Sequence, residues 1–357
     1  MRELGFDPSK MRAHDRGEPV ELARQMVTSG EAAPAERGHT SPDGQLAQEA
    51  TKRMFRSVRA GRNWVRTRDA STTVRQLGAC VAMKPGSGEP PVFLIPGAPG
   101  SVLQLGPLAA AMPISASVYA IRPRGLEAGE QPYESIEDMA AYGIDAIRSI
   151  HPEGPYLLVG YSTGGLVALE MARQLFSAGE QVPLVVLMDI YPSRQLWSLR
   201  CHMEILVRQA IRMLWLLRWD APVQAAREAV RRIKGLSGYL AASGVKALPL
   251  PPIVPKAWSE ASRQLYLASV NAAVAYRPPS YSGRVVFIQP SEIPDLEPRL
   301  PGRVWSRFLP DMEVHQVPGS HLGMVEAGAA VTAKVIGERL VQALPAINRS
   351  VTVPEVL

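Results

Sequence analysis

From Pro90 onward the chain alternates short, unbroken aliphatic runs with stretches in which apolar residues return every three or four positions. The runs are "VFLIP" (92–96), "SVYAI" (117–121), "YLLVG" (156–160), "PLVVLMD" (183–189) and "RVVFIQ" (284–289), followed by the alternating "MEVHQV" (312–317). Runs of this length, separated by amphipathic segments such as "SIEDMAAYGIDAIRSI", predict buried parallel strands joined by crossover helices. The expected fold class is therefore α/β, a mostly parallel doubly wound sheet. Two regions depart from the rhythm. Residues 1–85 are rich in Arg, Ala, Ser and Gly with weak periodicity, and are expected to form a partly helical or poorly ordered leader. Between Asp189 and Arg284 no strand is expected, while apolar and basic residues recur at helical spacing through "MEILVRQAIRMLWLLRWDAPVQAAREAVRRIKGLSGYL". This predicts a helical insertion over the sheet at about 192–275, with Met203, Met213, Trp215 and Trp219 packed against the body. The main domain then spans 86–345, and 346–357 form a tail.

Composition narrows the function classes. A chain of 357 residues with 46% hydrophobic and 20% charged residues suits a soluble globular enzyme. Its two cysteines, Cys80 and Cys201, have no ligand or disulfide spacing, so neither a structural zinc nor a disulfide scaffold is expected. No apolar run reaches the length of a membrane span, and the first residues lack a signal-peptide core, which together point to the cytoplasm. The net charge of +6 is unevenly spread, with seven Lys or Arg and no acid in residues 51–68. No zinc finger, RNA-binding aromatic motif or helix-turn-helix accompanies that segment, so a nucleic-acid partner is not expected. A basic amphipathic insertion also fits a membrane surface, and contact between the insertion and a membrane stays open at this point.

The chemistry is signalled by "GYSTG" at 160–164, placed between a strand pattern and the helix pattern "GLVALEMARQL". In this context G-x-S-x-G forms a sharp elbow that holds its serine, here Ser162, exposed at the carboxyl edge of a sheet. A serine hydroxyl is a weak nucleophile and needs a base, itself oriented by a carboxylate. Of six histidines, His14 and His39 fall in the leader, His151 precedes a proline and His202 lies in the insertion. His315 sits within an alternating strand. His321, in "VPGSHLGMV", occupies a Gly-rich loop between the last strand and the last helix, where the base belongs. Spacing leaves the acid open: Asp189 follows the strand after the elbow helix, whereas Glu292 and Asp295 follow the next strand. Two backbone N–H groups are needed to hold an oxyanion. Thr163 is expected to supply one and the loop "PGAPG" (96–100) the other, with Ala98 as the expected donor; Pro99 has no N–H, which narrows the choice.

These residues resemble the α/β-hydrolase thioesterase domains that release chains from nonribosomal peptide and polyketide synthases. The likeness runs from "VAMKPGSGEPPVFLIPG" (81–97) through "IRPRGL", "HPEGPYLLVGYS" and "GGLVALEMARQL", and returns in "VHQVPGSHLGMV" (314–325). The resemblance implies an α/β-hydrolase fold, a substrate lid at the insertion, and Asp189 as the acid. It further implies that Ser162, Asp189 and His321 release an acyl or peptidyl chain from a phosphopantetheine carrier protein through an acyl-enzyme, by hydrolysis or macrocyclisation. No metal or organic cofactor of the enzyme's own is implied, and the partner is an acyl or peptidyl carrier protein. The sequence departs from the family at Pro99, where glycine is more usual, and at Thr163, where an apolar residue is common. An editing thioesterase or a free carboxylester hydrolase would use the same residues; a noncatalytic hydrolase-fold binding protein would have no need of them.

Overall fold

The computed structural model of the protein describes residues 75–127, 129–216 and 258–344. The basic segment 51–68, the rest of the leader through residue 74, the middle of the insertion and the tail lie outside the described residues, as do His14, His39 and Trp219 and the side chains of Met213 and Trp215.

Among the described residues eight strands form one sheet: β1 (Arg75–Leu77), β2 (Cys80–Lys84), β3 (Gly88–Ile95), β4 (Ala116–Ile121), β5 (Leu157–Tyr161), β6 (Leu184–Met188), β7 (Val285–Pro290) and β8 (Met312–Val317). Their order is β1-β2-β4-β3-β5-β6-β7-β8. Strand β2 runs antiparallel to both neighbours, and the remaining pairs are parallel. The helices among the described residues are α1 (Gly106–Ala111), α2 (Ile136–Arg148), α3 (Thr163–Ser177), α4 (Leu199–Leu216), α5 (Glu260–Ala275), α6 (Gly302–Trp305) and α7 (Ala329–Ala343).

The aliphatic runs behave as their composition dictates. Every residue of β5, β6 and β7 is buried, because helices cover both faces of the sheet. Along β6 the side chains divide with period two. Val185 and Leu187 enter a core with Phe93, Leu158 and Met171 under α2 and α3. Leu184, Val186 and Met188 enter a second core with Val92, Val159 and Ile336 beneath α1 and α7. Full burial of each such side chain stabilises the fold by roughly 1.5–3 kcal/mol before entropy is counted. Helix α2 begins where Ser135 caps it, its Oγ accepting the Asp138 N–H at 3.1 Å, and α5 is capped likewise by Ser259 on the Ser262 N–H at 3.2 Å.

Two expectations differ from the structure. The sheet already begins at Arg75, inside the expected leader, as a hairpin that turns at Gly78 with φ of +62°. The segments "RQL" and "CVAMK" lack the unbroken aliphatic run that marks the buried strands. In the insertion, Met203 does not pack against the body. Cys201 and Ile205 form the buried side of α4, and Met203 lies off that stripe, 50% exposed. Among the described residues no helix is long and apolar enough to cross a membrane. Cys80 and Cys201 are buried free thiols.

Candidate active site

In a parallel sheet the loops that leave the carboxyl ends of the strands gather along one edge, and ligand sites form there. Four such loops matter here: residues 96–100 after β3, Ser162 after β5, Asp189 after β6, and the segment around His321 after β8.

The elbow is steric in origin. A side chain on Gly160 would lie 2.4 Å from the Gly164 carbonyl oxygen, and one on Gly164 would lie 2.4 Å from the carbonyl oxygens of Ile95 and Pro96. Only hydrogen fits at both places, so the helix can start directly against the strand end. Between them Ser162 has φ 52°, ψ −134°, a left-handed backbone that costs an L-residue roughly 1–3 kcal/mol. Its N–H donates to the Met188 carbonyl at 2.9 Å, continuing the β5–β6 ladder. Ser162 stands at the N-terminus of α3, the positive end of that helix dipole. Asp189, with φ of 46°, is the other non-glycine residue with a positive φ among the described residues, and its N–H donates to Ile288 at 2.9 Å. The strained positions thus coincide with two of the three residues singled out from sequence.

The structure brings Asp189 and His321 together. Nδ1 of His321 lies 2.7 Å from Oδ2 of Asp189. An ionised carboxylate only accepts, so this contact calls for a proton on Nδ1, and in the neutral ring Nε2 is then the acceptor. The Asp189 side chain is 5% exposed and the His321 ring 41%, so the carboxylate is enclosed while the ring is open to solvent. The Ser162 hydroxyl is not hydrogen-bonded to the ring. The rival groups are engaged elsewhere. His315 Nε2 contacts Glu313 at 2.7 Å and Arg339 at 3.1 Å. Glu292 is exposed. Asp295 pairs with Arg212 of α4, and its carbonyl accepts from Gln209 at 2.9 Å and Arg208 at 3.2 Å. The loop after β7 therefore fastens to the insertion.

Two residues that sequence reasoning passed over stand beside the pair. Tyr161, the variable position before the serine, stacks on the His321 ring with centroids 4.9 Å apart, and its hydroxyl donates to the His321 carbonyl at 2.9 Å. Burial, then the negative charges of Asp189 and Glu326, push the Tyr161 phenol well above its ordinary range, so it stays a neutral donor. Glu297 is the second: burial, followed by the charge of Asp189, raises its carboxyl to about 7, against opposing pulls from Arg194 and His321. Nothing local in "PDLEPR" distinguishes that glutamate. Its environment is made by Asp189, Arg194 and His321, which come from other segments of the chain.

The loop after β3 carries Ala98 to Thr163. The Ala98 N–H donates to the Thr163 hydroxyl, Oγ1, at 2.9 Å. Both residues line a cleft of about 600 Å³, including its open mouth, whose walls are largely apolar: Met139 from α2, Val167 and Met171 from α3, and Leu265 from α5. At its rim the Arg124 guanidinium lies over the Tyr133 ring, 5.1 Å from the centroid. The strand-end segment that bears Arg124 is clamped by Glu130, which pairs with Arg122 at 2.8 Å and accepts the Gly125 N–H at 2.9 Å. The hydrogen bond from Arg122 is the main cause that holds the Glu130 carboxyl down at about 2. Among the described residues no group of three or more His, Cys, Asp or Glu is placed to hold a metal.

A carboxylate-oriented imidazole at the sheet edge that also bears a strained, half-buried serine, with backbone N–H groups at a helix start, is suited to acyl transfer. Residues 90–213 match the family model of the thioesterase domain. Over 236 residues, 61% of this chain, the sequence is 27% identical to a dimodular nonribosomal peptide synthase of Bacillus subtilis (strain 168), of which it covers 9%. A stretch of 71 residues, 20% of the chain, is 49% identical to polyketide synthase PksR of the same organism and covers 3% of it. The chain thus spans less than a tenth of the length of either relative. A solved four-domain nonribosomal peptide synthetase shares the fold at 21% identity with a TM-score of 0.51, over 75% of this chain and 20% of that one.

Proposed function

We propose that the chain, which carries a thioesterase domain of the nonribosomal peptide and polyketide synthase type on an α/β-hydrolase fold, is a serine thioesterase that frees an acyl or peptidyl chain from a carrier protein. The observation that carries the reading is the 2.7 Å contact between His321 and Asp189 at the sheet edge that also bears the Ser162 elbow. Substrate binding closes the gap between the Ser162 hydroxyl and Nε2 of His321, as catalytic hydrogen bonds loose in empty enzymes tighten in the substrate complex. His321 then takes the proton while Ser162 Oγ attacks the thioester carbon. The Asp189 carboxylate steadies the imidazolium, and the N–H groups of Ala98 and Thr163 hold the oxyanion.

Collapse of that intermediate breaks the carbon–sulfur bond, and His321 returns the proton to the departing thiol. The acyl group remains on Ser162 until water releases an acid, or an internal hydroxyl or amine releases a lactone or lactam. The thioesterase family has no cofactor of its own, and the phosphopantetheine arm belongs to the carrier. The largely apolar cleft beside Ala98 and Thr163 supports an acyl portion with bulky apolar groups.

The test is mass spectrometry of the protein incubated with an acyl-loaded carrier protein. An adduct on Ser162 and a released chain are expected, and Ser162→Ala is expected to cut release by about a thousandfold or more. Release undiminished in Ser162→Ala, or an adduct on another residue, would overturn the reading.

A further inference from the structure

Thr163 contributes two different groups to one place. Its backbone N–H begins helix α3, where the oxyanion is held in the reading above, and its side chain accepts the other N–H assigned to that role. The Ala98 N–H has a single hydrogen, and at 2.9 Å it is committed to Oγ1 of Thr163. A carbonyl oxygen that develops negative charge needs that same hydrogen. Both residues line the apolar cleft, so the contact sits where an acyl group would enter.

We infer that the Thr163 hydroxyl is a built-in occupant of the oxyanion site, which the acyl oxygen has to displace before the site can act. This rests on the serine thioesterase reading and deepens it. The physical logic is an exchange. In the resting chain the N–H is satisfied by a neutral hydroxyl, and in the transition state by an oxyanion, the stronger acceptor. The exchange still costs the resting hydrogen bond, so the hydroxyl slows every step that builds an oxyanion. One neutral hydrogen bond corresponds to roughly a two- to tenfold change in rate. An apolar residue at 163 would leave the N–H free and remove that cost.

The test is the rate at which an alkyl fluorophosphonate labels Ser162. In that reaction Oγ bonds to phosphorus, fluoride leaves, the serine proton passes to His321, and the phosphoryl oxygen takes the oxyanion site. Thr163→Val keeps the shape and removes the hydroxyl; Thr163→Ala guards against crowding by a branched side chain at the helix start. Both are expected to label roughly two- to tenfold faster than the native chain. Thr163→Ser, which keeps an acceptor oxygen, is expected to gain less than either. Slower labelling in Val and Ala would overturn the inference and make the hydroxyl a support for the 96–100 loop or a donor to the oxyanion. Unchanged labelling would overturn it as well. If the native chain carries no label at Ser162, with Ser162→Ala as the blank, it is the serine reading that fails, which separates the two outcomes.

Discussion

Replacing Tyr161 by Phe removes one oxygen and nothing else from the neighbourhood of His321. The ring that stacks on the imidazole at 4.9 Å stays, while the hydrogen bond to the His321 carbonyl, 2.9 Å long, is lost. Tyr161 is buried, so water cannot freely take over the vacated contact. A neutral hydrogen bond contributes about 1 kcal/mol net, and an acceptor left dry costs up to about 2 kcal/mol. For a domain of this size each kcal/mol shifts Tm by about 2–4 °C, so a fall of roughly 2–8 °C is expected. The kinetic effect follows from the position of the bond. It ties the backbone of His321 to the residue next to Ser162, and in the proposed reaction freedom gained by the imidazole must be removed on the way to the transition state. If about 1 kcal/mol is involved, Ser162 labelling and acyl release should slow about fivefold, with kcat carrying the loss and KM little changed. Because the phenol is held neutral by burial and nearby carboxylates, the ratio of native to variant rates should stay level from pH 6 to 9. A Tm fall of the expected size with an unchanged labelling rate would refute the argument and reduce Tyr161 to a support of the fold.

Two further outcomes are expected. Asp189→Asn should lower acyl release by about a hundredfold or more, somewhat less than Ser162→Ala, whereas Asp295→Asn should raise KM and leave kcat within about threefold, since Asp295 holds α4 through Arg212. Steady-state kinetics on both variants decides it, and a dead Asp295→Asn beside a fully active Asp189→Asn would reverse the assignment. Glu297 should make stability depend on pH. Its folded carboxyl sits at about 7 against an ordinary 4.5, so the stability it adds is complete below 4.5 and is lost as pH rises through 7. Denaturant midpoints should therefore fall across that window in the native chain and stay flatter in Glu297→Gln; parallel curves would refute it.

The α/β alternation and the elbow were legible in the amino-acid order because each is a local signal. Aliphatic runs such as "LVVLM" can be buried only in a covered sheet, and "GYSTGG" combines glycines and a serine in the one spacing that lets a strand turn into a helix. The first hairpin was not legible, because a three-residue strand has no pattern to read. Spacing alone did not choose between the carboxylates: Asp189 and Asp295 each follow a β-strand, and both spacings allow a carboxylate to reach the imidazole. The family resemblance favours Asp189, and the packed molecule turns Asp189 toward His321 and Asp295 toward α4.

The same division holds for the finer features of the site. Ser162 and Tyr161 are adjacent in the chain, yet the stacking of Tyr161 on His321 joins residues 160 positions apart. The proton affinity of Glu297 comes from burial beside Asp189, and the engagement of the Ala98 N–H comes from a hydroxyl on another segment. Element type follows from short-range sterics and the period of apolar residues, which neighbours along the chain already specify. Distances between side chains on separate loops, and the dielectric around them, arise only when the strands have been ordered and the cores on both faces closed.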